Sequence, residues 1–250
     1  MVDSAAGQGS PLGSGRNETA TSAAVRNMFA MVAHRYDFLN HFLSLGRDIA
    51  WRRAAAKALQ DALKRPGSLV VDLCCGTGDL SFLLGQHSHG RVIAADFCHP
   101  MLAIARGKSA TRSRKVHFLE ADALHLPLGD ASADAVTSAF GFRNLARYDR
   151  GIEEMRRILK RGGRIAILEF SQVYWPVLGS LFRFYFRRIL PRVGAWISGV
   201  EGPYRYLPDS VARFPRQEEL AQKLRDAGFH KVGYVNFTGG VAALHMGEKK

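Results

Sequence analysis

The densest chemical signal in this chain is the run Val70-Val71-Asp72-Leu73-Cys74-Cys75-Gly76-Thr77-Gly78-Asp79, where a short apolar strand breaks into a glycine turn and enters a helix. Gly76 and Gly78 carry no Cβ, so backbone there can approach a ligand closely, and a helix start offers N–H donors without partners. Asp96 closes the next apolar run, Val92–Asp96, and is placed to accept both hydroxyls of a ribose. Asp122-Ala123 follow the third such run and suit an adenine edge, the carboxylate accepting from the exocyclic amine. Met101, at the start of the intervening helix, could pack on the purine. Two nucleoside cofactors fit a strand, a glycine turn and a ribose carboxylate. A dinucleotide wants a third glycine, but Ser81 holds that position. A methyl-donor nucleoside has no pyrophosphate and needs none, so it is the expected ligand.

These residues must be held by regular elements, and the apolar rhythm supplies them. Strands are expected at Leu69–Leu73, Val92–Asp96, Val116–Glu120, Asp134–Phe140 and Arg164–Phe170. Helical stretches lie between them at Leu80–Leu84, Met101–Lys108 and Ile152–Leu159. Short apolar strands alternating with helices imply a parallel sheet covered on both faces. The helix Gln217–Ala227 precedes two closing strands, Val232–Phe237 and Val241–Met246, joined at Gly239-Gly240. The expected fold is therefore α/β, a Rossmann-like seven-stranded sheet of the class I methyltransferase type with an antiparallel terminal hairpin strand.

Residues 1–22 are rich in Gly, Ser, Ala and Thr without apolar periodicity and are expected to be a disordered tail. Residues 23–250 are expected to form a single domain. Its N-terminal helical lid, about residues 23–65, carries Val25, Met28, Phe29 and Val32, then Trp51, Ala55, Ala58 and Leu59, and ends at Pro66-Gly67. A basic aromatic insertion is expected over about residues 172–215. There Leu178, Leu181, Phe182, Tyr185, Phe186 and Ile189 recur at helical spacing beside Arg183, Arg187 and Arg188.

At 47% hydrophobic and 23% charged residues the chain has the composition of an ordinary globular protein, but a net charge of +13 predicts an anionic partner. Three cysteines, Cys74, Cys75 and Cys98, make neither a disulfide framework nor a metal-ligand pattern. No apolar leader and no run of about 18 apolar residues occur, so a cytoplasmic location is expected.

Several separated motifs then resemble one family. Tyr36-Asp37-Phe38-Leu39-Asn40 with Ser44 and Trp51, Phe140-Gly141-Phe142-Arg143-Asn144, and Arg157–Gly163 with Glu169 and Ser171 are similar to signatures of the ubiquinone/menaquinone biosynthesis C-methyltransferases. Tyr204-Arg205-Tyr206-Leu207 with Ser210, and Ala243–Gly247, resemble two more blocks, so the likeness runs from about Val25 to Glu248. The chain departs at Asp48 (the family has His), Arg161 (Pro) and Ala139 (Ser), and no role is carried over to those positions.

The resemblance implies S-adenosylmethionine as cofactor, with Thr77, Asp96, Asp122 and Ala123 among its contacts. It also implies methylation of a ring carbon on a demethylated, prenylated quinol. Demethylmenaquinol is the leading reading; the benzoquinol and phylloquinone versions share these motifs. A ring carbon becomes nucleophilic as the neighbouring hydroxyl loses its proton. Arg143 is accordingly expected to stabilise the phenolate, and Asn144 to orient the substrate hydroxyl or a water. Tyr36 and Asp37 are expected to close the site, Asp37 taking the proton. The alternative for Arg143 is a helix-capping or salt-bridge role, and for His245 a place in the core. The basic aromatic insertion is expected to cover the prenyl tail and touch anionic membrane, and a homodimer is a further expected association. Nucleic acid would also suit the charge. Base N-methyltransferases, however, carry Asn/Asp-Pro-Pro-aromatic after the fourth strand, where this chain has Ala139-Phe140-Gly141-Phe142, so no nucleic acid is expected. A non-catalytic lipid binder would not need the glycine loop and Asp96, both of which are present.

Overall fold

The computed structural model describes residues 9–10, 18–33, 41, 44–112, 115–171, 173 and 202–250. Each expected strand forms. β1 (Leu69–Leu73), β2 (Arg91–Asp96), β3 (Val116–Glu120), β4 (Ala133–Ala139) and β5 (Leu159–Phe170) run parallel, and β6 (Phe229–Phe237) and β7 (Ala242–Lys249) complete the sheet. The order is β3-β2-β1-β4-β5-β7-β6. β7 is antiparallel to both β5 and β6, so the last strand of the chain inserts between them. β1, β4 and the end of β5 are buried almost throughout, as strands covered on both faces must be.

Two apolar layers cover the sheet. On one face α6 (Tyr148–Ile158) and α8 (Gln217–Asp226) bury Tyr148, Ile152, Met155, Leu220 and Leu224. On the other, α2 (Arg47–Ala58), the short α3 (Gln60–Leu63) and α4 (Asp79–His87) bury Trp51, Ala55, Leu59, Leu63, Leu80 and Leu84. Trp51 fixes α2 over the strand ends. Its ring lies 6.1 Å from Phe140, 6.4 Å from Phe170 and 6.5 Å from Phe237. α5 (His99–Arg112) follows β2, and α7 (Gly202–Arg213) precedes α8. None of the described helices is long and apolar enough to cross a membrane.

Two boundaries differ from expectation. β5 starts at Leu159, ahead of Arg164, because the Gly162-Gly163 turn is absorbed as a bulge: Ala133 pairs with Leu159 and Ala135 with Arg164. At the N-terminus, α1 spans Glu18–Val32, so the helix begins inside the segment 1–22 that was expected to be a disordered tail. Ser10 is also buried, its N–H donating to the Leu145 carbonyl at 2.8 Å. Those anchors are polar and long-range, so a search for apolar periodicity passes over them. The helical part of the basic aromatic insertion, Leu178 to Ile189, lies outside the described residues.

Candidate functional site

β2 and β3 lie on one side of β1, and β4 and β5 on the other, so the strand order reverses between β1 and β4. In an open parallel sheet the crevice beyond that reversal is where ligands bind. Both flanking strands end in strain. Cys74 and Phe140, neither of them glycine, adopt φ of 53° and 60°. The two turns touch: a Cβ built on Gly141 would lie 2.3 Å from Cys74 Cβ, so only glycine fits there. Together they floor a cleft that is open toward solvent.

Gly76, Asp96, Met101, Asp122, Ala123 and Asn144 all line this cleft, with Phe29 of α1 on its rim. Asp96 is buried; its Oδ2 accepts from Gly76 N at 2.8 Å and its Oδ1 from Cys98 N at 2.9 Å. Burial pushes its carboxyl up to about 6, and the N–H groups of Cys98, Gly76 and Phe97 oppose that rise. Asp122 uses Oδ1 to hold Leu124 N at 2.9 Å. A buried carboxylate, a backbone glycine and an apolar slot at Met101 and Ala123 thus share one cavity. This donor and acceptor set fits an adenine nucleoside.

Asp72, Thr77 and Gly78 stand behind that surface and do not line the cleft. Asp72 is buried and accepts from Ser81 Oγ at 2.5 Å, tying β1 to the first turn of α4; burial raises its carboxyl to about 7. The Thr77 carbonyl accepts from Lys108 Nζ at 3.2 Å. Gly78, with φ of 90°, turns the chain into α4. These residues shape the loop from behind.

Arg143 differs most from expectation. It is buried and is not among the cleft residues. Its Nη1 donates to Glu169 Oε1 at 3.1 Å and Oε2 at 2.9 Å and also to the Phe140 carbonyl, while its backbone N–H reaches Oε1 at 3.1 Å. Burial pushes the Glu169 carboxyl up, and the Arg143 guanidinium works against that. The salt-bridge alternative therefore describes Arg143 better than a cation facing a substrate oxygen. The pair braces the turn that carries Asn144, and Tyr148 Oη donates to the Arg143 carbonyl at 3.0 Å on the far side. Glu169 was readable only as part of a motif. A carboxylate inside the apolar run Ile165–Phe170 nonetheless signals a buried partner.

A second buried charge group sits where α2 meets the glycine loop. Asp48 accepts from Ser44 Oγ at 2.6 Å and from Arg52, and lies 2.8 Å from His41 Nδ1. Burial opposes its ionisation, yet Ser44, Arg52 and His41 together hold the carboxyl below its usual range. His245 is a core histidine: its Nε2 pairs with the Gln217 carbonyl at 2.8 Å, and burial lowers it to about 4. Tyr36 and Asp37 lie outside the described residues.

This strand order, with an open cleft at its reversal point, makes the protein a class I S-adenosylmethionine-dependent methyltransferase. Solved structures agree on the fold. A Thermotoga maritima structure described as an S-adenosylmethionine-dependent methyltransferase superposes with a TM-score of 0.60 at 21% identity, covering 90% of this chain and 99% of that one. A Haloferax volcanii complex of a methyltransferase activator with its putative methyltransferase gives 0.62, also at 21% identity, covering 90% and 96%. The chain belongs to the ubiE/COQ5 methyltransferase family, whose sequence model matches residues 17–249. A Thermus thermophilus relative named demethylmenaquinone methyltransferase is 49% identical over 89% of this chain and 100% of its own length. A Deinococcus radiodurans relative of the same name is 46% identical over 91% and 93%. A Rhizobium etli relative named ubiquinone/menaquinone biosynthesis C-methyltransferase UbiE is 42% identical over 90% and 88%.

Proposed function

We propose that this protein transfers the methyl group of S-adenosylmethionine to a ring carbon of a demethylated, prenylated quinol, converting demethylmenaquinol to menaquinol. The observation that carries this reading is the 49% identity to a demethylmenaquinone methyltransferase along that protein's whole length. The benzoquinol version is the second reading, favoured by the Rhizobium relative whose name covers both quinones.

When bound, the cofactor supplies an electrophilic methyl group. The chain's own residues bind, orient and desolvate. Asp96 takes the ribose hydroxyls, the Gly76 backbone allows close approach, Asp122 meets the adenine amine, and Met101 and Ala123 pack on the purine. Asp72, Thr77 and Gly78 keep the loop in shape from behind. Asn144 reaches the reacting half of the cleft, on a turn braced by Arg143 and Glu169. Tyr36 and Asp37 are assigned to the lid, Asp37 as acceptor of the quinol proton. Holding two reactants in register can lower the barrier by about 7–11 kcal/mol, and a positioned base adds about 10²–10⁴-fold. Positioning is thus the larger share.

A basic chain acting on a lipid also fits contact with an anionic membrane surface, and a homodimer is the expected assembly. Purified protein is expected to label reduced demethylmenaquinone in detergent from methyl-labelled cofactor, well above a demethylated ubiquinol precursor. Label in neither lipid, with cofactor binding intact by calorimetry, would reject the quinol assignment. In parallel, the protein is expected to float with acidic vesicles and not with neutral ones; equal recovery would reject membrane contact.

A further inference from the structure

A polar chain runs behind Asn144. Its Oδ1 accepts from Tyr206 Oη at 3.0 Å, and Tyr206 Oη lies 2.9 Å from Ser10 Oγ. All three residues are buried, and they come from the turn after β4, from α7 and from the N-terminal segment. The N-terminal segment fits closely: Ser10 N–H holds the Leu145 carbonyl at 2.8 Å, and a Cβ built on Gly9 would lie 1.8 Å from the Ala146 oxygen. Ser10 is therefore seated against the stretch that follows Asn144.

The direction of this chain follows from proton counting. A carboxamide oxygen only accepts, so Tyr206 must spend its single proton on Asn144. Its own oxygen then accepts from Ser10. Burial raises the Tyr206 hydroxyl above its ordinary range, so it remains a donor at neutral pH. Asn144 lines the cleft, and with Oδ1 taken by Tyr206 its Nδ2 amino group is what remains to donate there.

We infer that Tyr206 and Ser10 are positioning residues that lock the Asn144 carboxamide with its N–H donors toward the cleft, so that Asn144 binds the substrate oxygen as an anion and does not take its proton. This rests on the quinol reading above. The quinol O–H bond breaks and its proton leaves to another acceptor; the electron pair left on oxygen raises the nucleophilicity of the adjacent ring carbon. An amide N–H at that oxygen stabilises the charge. A carboxamide oxygen turned the other way would repel it. Loss of one oxyanion donor typically costs about 10²–10³-fold in rate.

Nitronaphthol, whose anion absorbs more strongly and at longer wavelength than its neutral form, reports this without turnover. Titrated on wild-type protein with S-adenosylhomocysteine bound, it is expected to ionise about one pH unit lower than in buffer, a tenfold preference for the anion. Tyr206→Phe should remove most of that shift. Ser10→Ala should remove part of it, and Ser10→Thr should restore it. In turnover, Tyr206→Phe is expected to lower kcat about tenfold or more, with KM for the quinol nearly unchanged and the kcat midpoint moved to higher pH. Asn144→Asp, which puts an acceptor in place of the donor, should lose more than Tyr206→Phe. A Tyr206→Phe protein with wild-type naphtholate ionisation and kcat would overturn the inference alone, as would an Asn144→Asp protein faster than wild type at high pH. A wild-type protein that neither binds the naphtholate nor methylates either quinol would overturn the quinol reading, and this inference with it.

Discussion

Glu169→Ala is expected to destabilise the protein by about 3–5 kcal/mol, because it strands the Arg143 guanidinium in the interior. Glu169 is 1% exposed and Arg143 4%, so water cannot replace the lost partner. The carboxylate takes two bonds from the guanidinium and one each from the N–H groups of Arg143 and Phe170. At roughly 2–4 °C per kcal/mol for a chain of this size, the unfolding midpoint should fall by about 6–20 °C. Removing both charges should be far milder. A Glu169→Leu, Arg143→Met double variant keeps side-chain volume without leaving a lone buried charge, and should recover most of the lost stability. Thermal unfolding of the two proteins decides the point. A single variant within 1–2 °C of wild type, at the scale of a surface ion pair, would mean that the pair does not brace this turn. The double variant should still methylate poorly, since Asn144 rides on the turn that the pair holds.

Asp96→Asn should weaken cofactor binding by about 100-fold, on the order of 3 kcal/mol, and should also cost some stability, since the N–H of Gly76 or Cys98 would then face an amino group. The reason is chemical: a carboxylate can accept from two ribose hydroxyls at once, whereas an amide offers one acceptor and two donors. The same residue sets a pH dependence. Its folded value of about 6 stands above the ordinary 3.8 because burial disfavours the charge. Only the ionised form accepts both hydroxyls, so wild-type affinity should be flat above about pH 7 and fall as pH drops through 6, nearing tenfold per unit. In the Asn variant that slope should vanish. Calorimetric titrations with S-adenosylhomocysteine from pH 5 to 8 measure both effects. An Asn variant binding within threefold of wild type, or one that keeps the acid slope, would remove Asp96 from the ribose site.

Much of this protein is written locally in its sequence. Apolar runs of five to seven residues that end in Gly or Asp identify β1 and β2 and their exits, since side-chain period and turn chemistry are properties of neighbouring residues. The crevice follows, because parallel strands joined by helices bring their C-terminal ends to one edge. Gly76, Asp96, Met101, Asp122, Ala123 and Asn144 therefore meet as their spacing implies. Which partner each polar group takes there depends on contacts distant in sequence. The sequence left Arg143 between a phenolate partner and a salt bridge, and β5 sets Glu169 against it. Asp72 sits four residues before Gly76, yet faces Ser81 across the buried side of the loop. Ser10, in a stretch without any apolar pattern, reaches Tyr206 across most of the chain, and Tyr206 reaches Asn144. Periodicity says which face of an element is buried. A buried polar group, however, takes whatever partner the assembled fold brings within about 3 Å, and only the tertiary structure supplies that partner.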